Sequence, residues 1–353
     1  MSTLHVCIES KVSAAQALSR AGALAEEVSL VGEHPIGPAA LYAAELAGSC
    51  SVLGAHQHMR HALRTETGAE AAHHQVVRRS TGGAAVSGGE GVLYVSLALR
   101  DANALVMCPP GKLLNRYVRG ALAGLRELGY PAHYFGRDFV SLDALPVAYV
   151  AWAEHRSGLV QLELFIAHTR PFALPEALNA YPAPGEPAFR GRVPTTLAEG
   201  KPAGAPAGAA VLEAIASGYA RTFGAERRPI GLDIKQHERA AHIEPVVRTI
   251  DERPGLAWSA PHEEAIGFVS AGLALDARGV IRAARIAGDF FMHADCNGDL
   301  EEALVGKPPT DDTFAMAIDA VLAHRVGLIE GVRSLRSLHA AFLEAAQLAQ
   351  AHA

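Results

Sequence analysis

The sequence predicts an α+β fold divided into two units of unequal size, and three observations indicate it. Strand-like and helix-like segments alternate up to about residue 170. Residues 171–208 are then dense in proline, glycine and alanine, which is typical of irregular surface chain. A second group of strands and helices begins near Gly255. We therefore place a larger unit at residues 1–250 and a smaller one at residues 251–353.

The elements of the larger unit follow from the spacing of its apolar residues. Residues 14–30 and 112–128 have Ala, Leu and Val at helical intervals, and Gly129 closes the second segment. A further helix is predicted at 209–223, and residues 230–250 read as partly helical. β-Branched and aromatic residues between turn residues predict strands at 51–53, 92–99, 139–142, 147–152 and 159–167.

The smaller unit has its own strand and helix pattern. Residues 266–275 and 280–286 read as two strands joined by the turn DARG. Residues 300–304 and 313–322 read as helices. A long Ala- and Leu-rich helix with charges on its other face is predicted at 326–351.

Composition excludes several classes of protein. The 353 residues are half hydrophobic, which is enough for a sizeable core, and the net charge of −6 gives no basic excess of the kind that nucleic-acid binding needs. We find no apolar run near the roughly 20 residues of a membrane span. The four cysteines lack paired spacing, which argues against a disulfide framework or zinc site and favours the reducing cytoplasm, where we expect the protein.

The most informative stretch is VRRSTGGAAV, residues 77–86. Two permanent cations precede glycines whose backbone N–H groups can face a carboxylate or a phosphate. Small residues follow, and the apolar strand at 92–99 would then supply the wall of a ligand tunnel. The pattern favours an amphiphilic carboxylic acid, with or without a nucleotide. The alternative is a tight surface turn.

Five segments resemble the lipoate–protein ligase and octanoyltransferase family, which shares its catalytic fold with biotin–protein ligases. They occur in the family's order: VLGAHQ, VRRSTGGAAV, FGRDFVS, RVPTTLAEG and, in the smaller unit, GVIRAARIAGDFF with its flanks. The resemblance implies a mixed-sheet, biotin/lipoate ligase-like catalytic domain at residues 1–250. It also implies that residues 251–353 are a small α+β accessory domain of the lipoate-ligase type.

The resemblance also implies an activity and a set of site residues. The activity is ATP-dependent activation of lipoate, octanoate or a related acyl acid, with Mg²⁺, and transfer to a lysine of a lipoyl-domain or H-protein-like acceptor. Neither a nucleic acid nor a membrane is expected as a partner. The implied acyl- and adenylate-binding residues are Gly54, Gln57, Arg79, Ser80, Thr81, Gly82, Gly83, Ala84 and, near the nucleotide and its Mg²⁺, Asp138.

Three departures from the family pattern support a different reading. Ala84 replaces the third loop glycine, and Ser87–Gly88 stand where the family usually has a histidine. Residues 142–158 contain no lysine, and Pro146 or Val147 falls at the position of the family's catalytic lysine. Losing such an electrostatic group costs about 3 kcal/mol, or roughly a hundredfold in rate. The alternative is therefore a non-catalytic ligase-fold protein that binds an acyl ligand, a lipoyl domain or a partner subunit.

A third hypothesis is acyl transfer through Cys108, since a thiolate near a helix N-terminus is activated. The nearby histidines His56, His58 and His61 are expected at an exposed helix start. The sequence HADC, residues 293–296, is spaced too tightly to chelate a metal without other ligands.

Overall fold

The computed structural model describes most of the chain, and the structure below refers to that part. The described residues are 2–29, 36–64, 75–109, 111–136, 138–180, 192–201, 204–231, 255–323 and 329–351.

The larger unit is built on an eight-stranded mixed sheet. Only its first pairings, of β1 with β11 and with β2, are parallel. Its strands, in spatial order, are β11 (Glu226–Pro229), β1 (Thr3–Ser13), β2 (Ala39–Ala47), β6 (Val92–Leu99), β10 (Val160–Ala167), β9 (Leu145–Glu154), β8 (Phe139–Leu142) and β7 (Ala132–Tyr134). A second sheet of β4 (Gln75–Arg78), β3 (Ser49–Leu53) and β5 (Val86–Gly89) lies beside it.

Helices and the second sheet cover the large sheet, whose central strands are buried on both faces. Every residue of β6 and β10 is buried. The helices α1 (Ala14–Ser29) and α5 (Gly208–Phe223) both pack on β1, β2 and β6, and α3 (Leu113–Glu127) packs on α5. Two short helices, α2 (Met59–Ala62) and α4 (Leu197–Gly200), complete this unit.

The smaller unit has a separate hydrophobic core. Its main sheet contains β12 (Ala257–Trp258), β13 (His262–Glu264), β14 (Gly267–Leu275) and β15 (Ile281–Gly288). The C-terminal helix α8 (Leu335–Ala351) lies on β14, and α6 (Cys296–Leu304) lies on β15. The helix α7 (Asp311–Ile318) continues into a π-helical turn, Asp319–Ala323. The remaining two strands, β16 (Phe291–Met292) and β17 (Ile329–Glu330), form a ribbon.

The predicted α+β class is confirmed, and most predicted elements are present. The long C-terminal helix was predicted too early: it begins at Leu335, because Ile329 and Glu330 pair as a strand with Phe291 and Met292. Residues 232–250 lie outside the described residues. The predicted boundary between the two units, at residues 250 and 251, also lies there and stays a prediction. Within the described ranges, none of the helices is long and apolar enough to cross a membrane.

Candidate functional site

The arginine–glycine loop, residues 79–84, joins β4 to β5, and four of its residues, Arg79 and Thr81–Gly83, are buried. Arg79 is 2% exposed and Thr81 is fully buried. The Gly82 N–H donates to the carbonyl of Trp152 on β9, at 3.2 Å. The alternative of a tight surface turn is therefore wrong, because this segment is part of the core.

The guanidinium of Arg79 is occupied by the loop itself. It donates to the carbonyls of Val52 at 3.2 Å, Gly82 at 2.6 Å and Ala84 at 2.8 Å. Its Nε donates to the Thr81 hydroxyl at 3.0 Å. These bonds pull the loop closed around the cation, so the group that the resemblance assigns to a carboxylate or phosphate already holds the protein backbone.

A buried carboxylate lies under this loop. Glu163 on β10 is 1% exposed and accepts hydrogen bonds from the hydroxyls of Thr81 and Tyr94. The Nε of Arg79 is 3.9 Å from it. Burial raises the pKa of Glu163, and the nearby Arg79 acts in the opposite direction. Ser80 also points at the sheet, since its hydroxyl donates to Gln161 at 2.6 Å.

The N–H groups of the loop face protein acceptors. Gly82 donates to Trp152, as described above. Gly83 donates to the carbonyl of Phe290 at 2.9 Å, and Ala84 donates to the hydroxyl oxygen of Tyr149 at 2.7 Å. The sequence predicted that backbone N–H groups of this loop bind an anion, but three successive ones donate hydrogen bonds to acceptors of the protein itself.

The space above Gly83 is filled by two aromatic side chains. Its φ is +90°, and a Cβ built there would lie 2.0 Å from the Tyr149 hydroxyl oxygen and 2.6 Å from Phe291 Cε1. Phe291 comes from the smaller unit but belongs to the hydrophobic core of the larger one, whereas its neighbour Phe290 belongs to the core of the smaller unit. The smaller unit therefore inserts a ring against the loop.

The same segment of the smaller unit contacts the end of β3. Gln57 accepts a hydrogen bond from the Gly54 N–H at 2.9 Å and donates to Asp289 at 2.5 Å. The His56 ring stacks on Phe290 with a centroid distance of 5.4 Å. The structure thus brings together the predicted residues at positions 54, 57 and 79–84, and it covers them with residues 288–291.

Asp138 directly precedes β8. It is 1% exposed, and its backbone carbonyl accepts a hydrogen bond from Val150 at 2.8 Å. Across the described segments, no group of three His, Cys, Asp or Glu side chains could hold a metal ion.

The position that the resemblance assigns to the family's lysine, Pro146 or Val147, falls on β9. Pro146 and Val147 are both buried there, and Pro146 pairs with Ser141 of β8. Two exposed apolar side chains lie next to this position: Leu145, at the turn before Pro146, is 44% exposed, and Val193 is 66% exposed. Val193 lies beside this turn because the N–H of Thr195 donates to the carbonyl of Pro146, at 2.8 Å.

Two expectations for neighbouring residues are corrected. His56 and His58 are buried, not exposed, because the smaller unit packs on them, and burial lowers the pKa of each to about 4. Cys108 is also buried, which raises the pKa of its thiol. That shift is the opposite of what an activated nucleophile needs.

Residues 21–159 match the family described as the lipoyl protein ligase A/B catalytic domain. No curated protein matches the sequence significantly. Among solved structures, Plasmodium falciparum LipL1 in complex with lipoate is similar at 11% identity and a TM-score of 0.66, covering 96% of this chain and 99% of that one. The bi-partite lipoate protein ligase of Thermoplasma acidophilum, solved with its E2 lipoyl domain, reaches 17% identity and 0.53, covering 68% and 91%. A lipoate–protein ligase A bound with ATP reaches 15% and 0.52, covering 68% and 94%.

At these identities the solved structures establish a common fold, the mixed-sheet architecture with its additional small sheets. The similarity to the Plasmodium protein extends over both units of this chain.

Proposed function

Since residues 21–159 belong to the lipoyl protein ligase A/B catalytic domain family, we propose that the chain is a non-catalytic member of it. In this proposal it binds a lipoyl-domain or H-protein-like acceptor and does not activate an acyl acid.

One observation carries the proposal: the space beside Gly83 in the arginine–glycine loop is filled by the chain itself. The Tyr149 hydroxyl and the Phe291 ring occupy the space next to Gly83. Tyr149 stands on a central part of the larger unit's sheet, so a movement of the smaller unit alone would not remove it. In the described conformation the residues present do not fit an acyl-adenylate.

The polar groups of the loop support the same conclusion. A ligand that replaced the existing contacts would have to break the hydrogen bonds of Arg79 and of three backbone amides. Each unsatisfied buried partner costs about 1–3 kcal/mol. With Pro146 in place of the lysine, no ammonium group on β9 would offset that cost or stabilise developing charge.

The exposed turn next to Pro146 is the surface that we assign to the acceptor domain. Leu145 and Val193 present apolar area there, and Arg192 adds a cation whose side chain donates to the Ala144 carbonyl at 3.0 Å. Because this turn adjoins the position assigned to the family's lysine, an acceptor domain docked on it would contact the chain next to the place where the catalytic group of the ligases is expected. The archaeal ligase solved with its E2 lipoyl domain makes that class of partner the first to test.

The test is binding of purified acceptor domains to the full chain, without ATP or acyl acid. We expect a complex with a lipoyl domain or an H-protein, measured by isothermal titration calorimetry. Val193→Glu should weaken it by roughly tenfold or more, because it places a charge on an apolar contact. Met316→Glu, at a residue 70% exposed in the smaller unit, is the matched control and should bind normally. No complex with any acceptor domain, or an equal loss in both variants, would refute the proposal.

The second candidate is an ATP-dependent lipoate–protein ligase that opens before it reacts. The observation that favours it is the match over both units to a structure solved with lipoate. It requires Phe291 and Tyr149 to leave the loop and admit lipoate or octanoate with ATP and Mg²⁺. Release of pyrophosphate that depends on lipoate or octanoate would establish this activity and would contradict the non-catalytic proposal.

A further inference from the structure

A cavity lies between the two units, at the short helix α2. It is a cleft of about 440 Å³. That volume is in the range of small-molecule sites in proteins. None of the residues predicted to bind the acyl group or the adenylate lines it. Its walls are His58, Arg60, His61, Leu256, Ala257, Trp258 and Leu348.

The charge of this cleft has one sign. Arg60 is the cation among the lining residues, it is exposed, and neither Asp nor Glu is among them. A cation beside a partly apolar wall attracts an anion, and a guanidinium binds a carboxylate in a bidentate manner. The cleft therefore favours a ligand with a negatively charged end.

Two imidazoles add neutral polar groups. His61 bonds through Nδ1 to the Ser270 hydroxyl at 3.1 Å, which fixes its ring. His58 is 6% exposed, and its Nδ1 has no hydrogen-bond partner within the part of the chain that the structure describes. Burial lowers the pKa of both rings, so both are neutral at neutral pH and do not compete with Arg60 for the anion.

The remaining wall is apolar. The Trp258 indole lies 4.4 Å, centroid to centroid, from the His58 ring. Leu348, on the last helix, is 37% exposed, and Leu256 and Ala257 complete this side. A ligand that covered these side chains would remove apolar surface from water, which stabilises binding in proportion to the area covered.

We propose that this cleft is a binding site for a small amphiphilic carboxylate, with its carboxylate on Arg60 and its apolar body on Trp258 and Leu348. The site is separate from the arginine–glycine loop, and it does not depend on whether the chain is a ligase.

The two tryptophans of the chain allow each site to be followed separately. In a Trp152→Phe variant, Trp258 is the sole tryptophan and reports on the cleft. In a Trp258→Phe variant, Trp152, whose carbonyl bonds Gly82, reports on the loop. Each variant is titrated with sodium octanoate, with octan-1-ol as the uncharged analogue of the same length, and with acetate as the anion without a tail.

We expect octanoate to change Trp258 fluorescence saturably. Octan-1-ol should bind at least roughly tenfold more weakly than octanoate, and acetate should have no effect. Arg60→Gln should weaken octanoate by about tenfold or more. Arg278→Gln, at an arginine whose side chain is 82% exposed on the turn between β14 and β15, is the control and should leave binding unchanged.

Three results would overturn the proposal: no saturable change at Trp258, equal binding of octanoate and octan-1-ol, or equal affinity in the Arg60→Gln and Arg278→Gln proteins. A change at Trp152 alone would place the ligand in the loop. That outcome would refute this site and would also contradict the proposal that the arginine–glycine loop is closed to ligands. If neither Trp258 nor Trp152 fluorescence changes, the cleft proposal fails and the proposed function is unaffected.

Discussion

Replacing Tyr149 with phenylalanine tests the contact that closes the arginine–glycine loop. The substitution keeps the ring and removes only the hydroxyl oxygen that accepts the Ala84 N–H at 2.7 Å. Tyr149 is fully buried, so the variant leaves little room for water to replace that oxygen. Because the ring volume is conserved, a cavity term contributes almost nothing.

The expected cost is that of an unsatisfied amide. A buried donor left without a partner loses about 1–3 kcal/mol. The Ala84 amide is only partly buried, so we expect about 1–2 kcal/mol at the lower end of that range. Tyr219→Phe is the matched control: Tyr219 is equally buried, and within the described part of the chain its hydroxyl has no hydrogen-bond partner. Removing that hydroxyl should be neutral or stabilising.

The assay is urea unfolding of both variants in a Trp258→Phe background, followed by the fluorescence of Trp152. This reporter is 3% exposed and adjoins the loop, so its transition reports on the larger unit. Hydrogen exchange at the Ala84 amide provides a local readout and should become faster in Tyr149→Phe alone. Equal stabilities of the two variants, with unchanged exchange at Ala84, would refute the reasoning.

Three further predictions concern the same region. Gly83→Ala should destabilise the protein by about 3 kcal/mol or more, since a Cβ there meets two aromatic side chains. The control, Gly136→Ala, has a φ of +76° and open space around the added Cβ, so it should cost only the roughly 1–2 kcal/mol of backbone strain. Urea unfolding compares the free energies of unfolding of the two variants. Phe291→Ala should remove about 3–5 kcal/mol from the unfolding transition seen by Trp152, and an unchanged transition would show that its ring does not pack in that core. Acidification from about pH 7 to pH 4 should lower the free energy of unfolding by up to about 3 kcal/mol through His56, because the unfolded chain binds a proton near pH 6.5 that the buried ring, with a pKa of about 4, does not bind. His58 has a pKa of about 4 as well, so His56→Gln should reduce this dependence, and not abolish it, in urea titrations across that range.

Some strands were predictable because their side chains carry the signal. The segments 92–99 and 139–142 are apolar, contain β-branched and aromatic residues and end near turn residues, and the structure has the same bounds. β2, AALYAAELA, was missed because alanine and leucine favour a helix in isolation. It forms a strand because β1 and β6 pair with it on both sides, which overrides local propensity.

The C-terminal helix was over-extended for a related reason. Residues 326–334, VGLIEGVRS, still contain Val, Leu and Ile, and apolar composition alone does not mark where pairing with another segment begins. Ile329 and Glu330 pair with Phe291 and Met292, which precede them by almost 40 residues. No local pattern encodes such a partner.

The site was predictable as a cluster but not in its orientation. The glycines and Arg79 indicated a tight loop, and in the structure Arg79 bonds to Gly82 and Ala84 of that loop. The loop sequence is equally compatible with backbone N–H groups that face a ligand and with backbone N–H groups that face the protein. The groups that decide between the two, Tyr149 and Phe291, are far away in sequence, and the first lies 65 residues from Ala84.

The central claim is that the arginine–glycine loop is closed to an acyl-adenylate. Its most direct test is isothermal titration calorimetry of the full chain with a non-hydrolysable lipoyl-adenylate mimic, with an active lipoate–protein ligase titrated in parallel as the positive control. We expect no binding heat from this chain, because Tyr149 and Phe291 occupy the space beside Gly83. Tight binding of the mimic, well beyond that of lipoate or ATP alone, would contradict this prediction and would support the ATP-dependent ligase as the function.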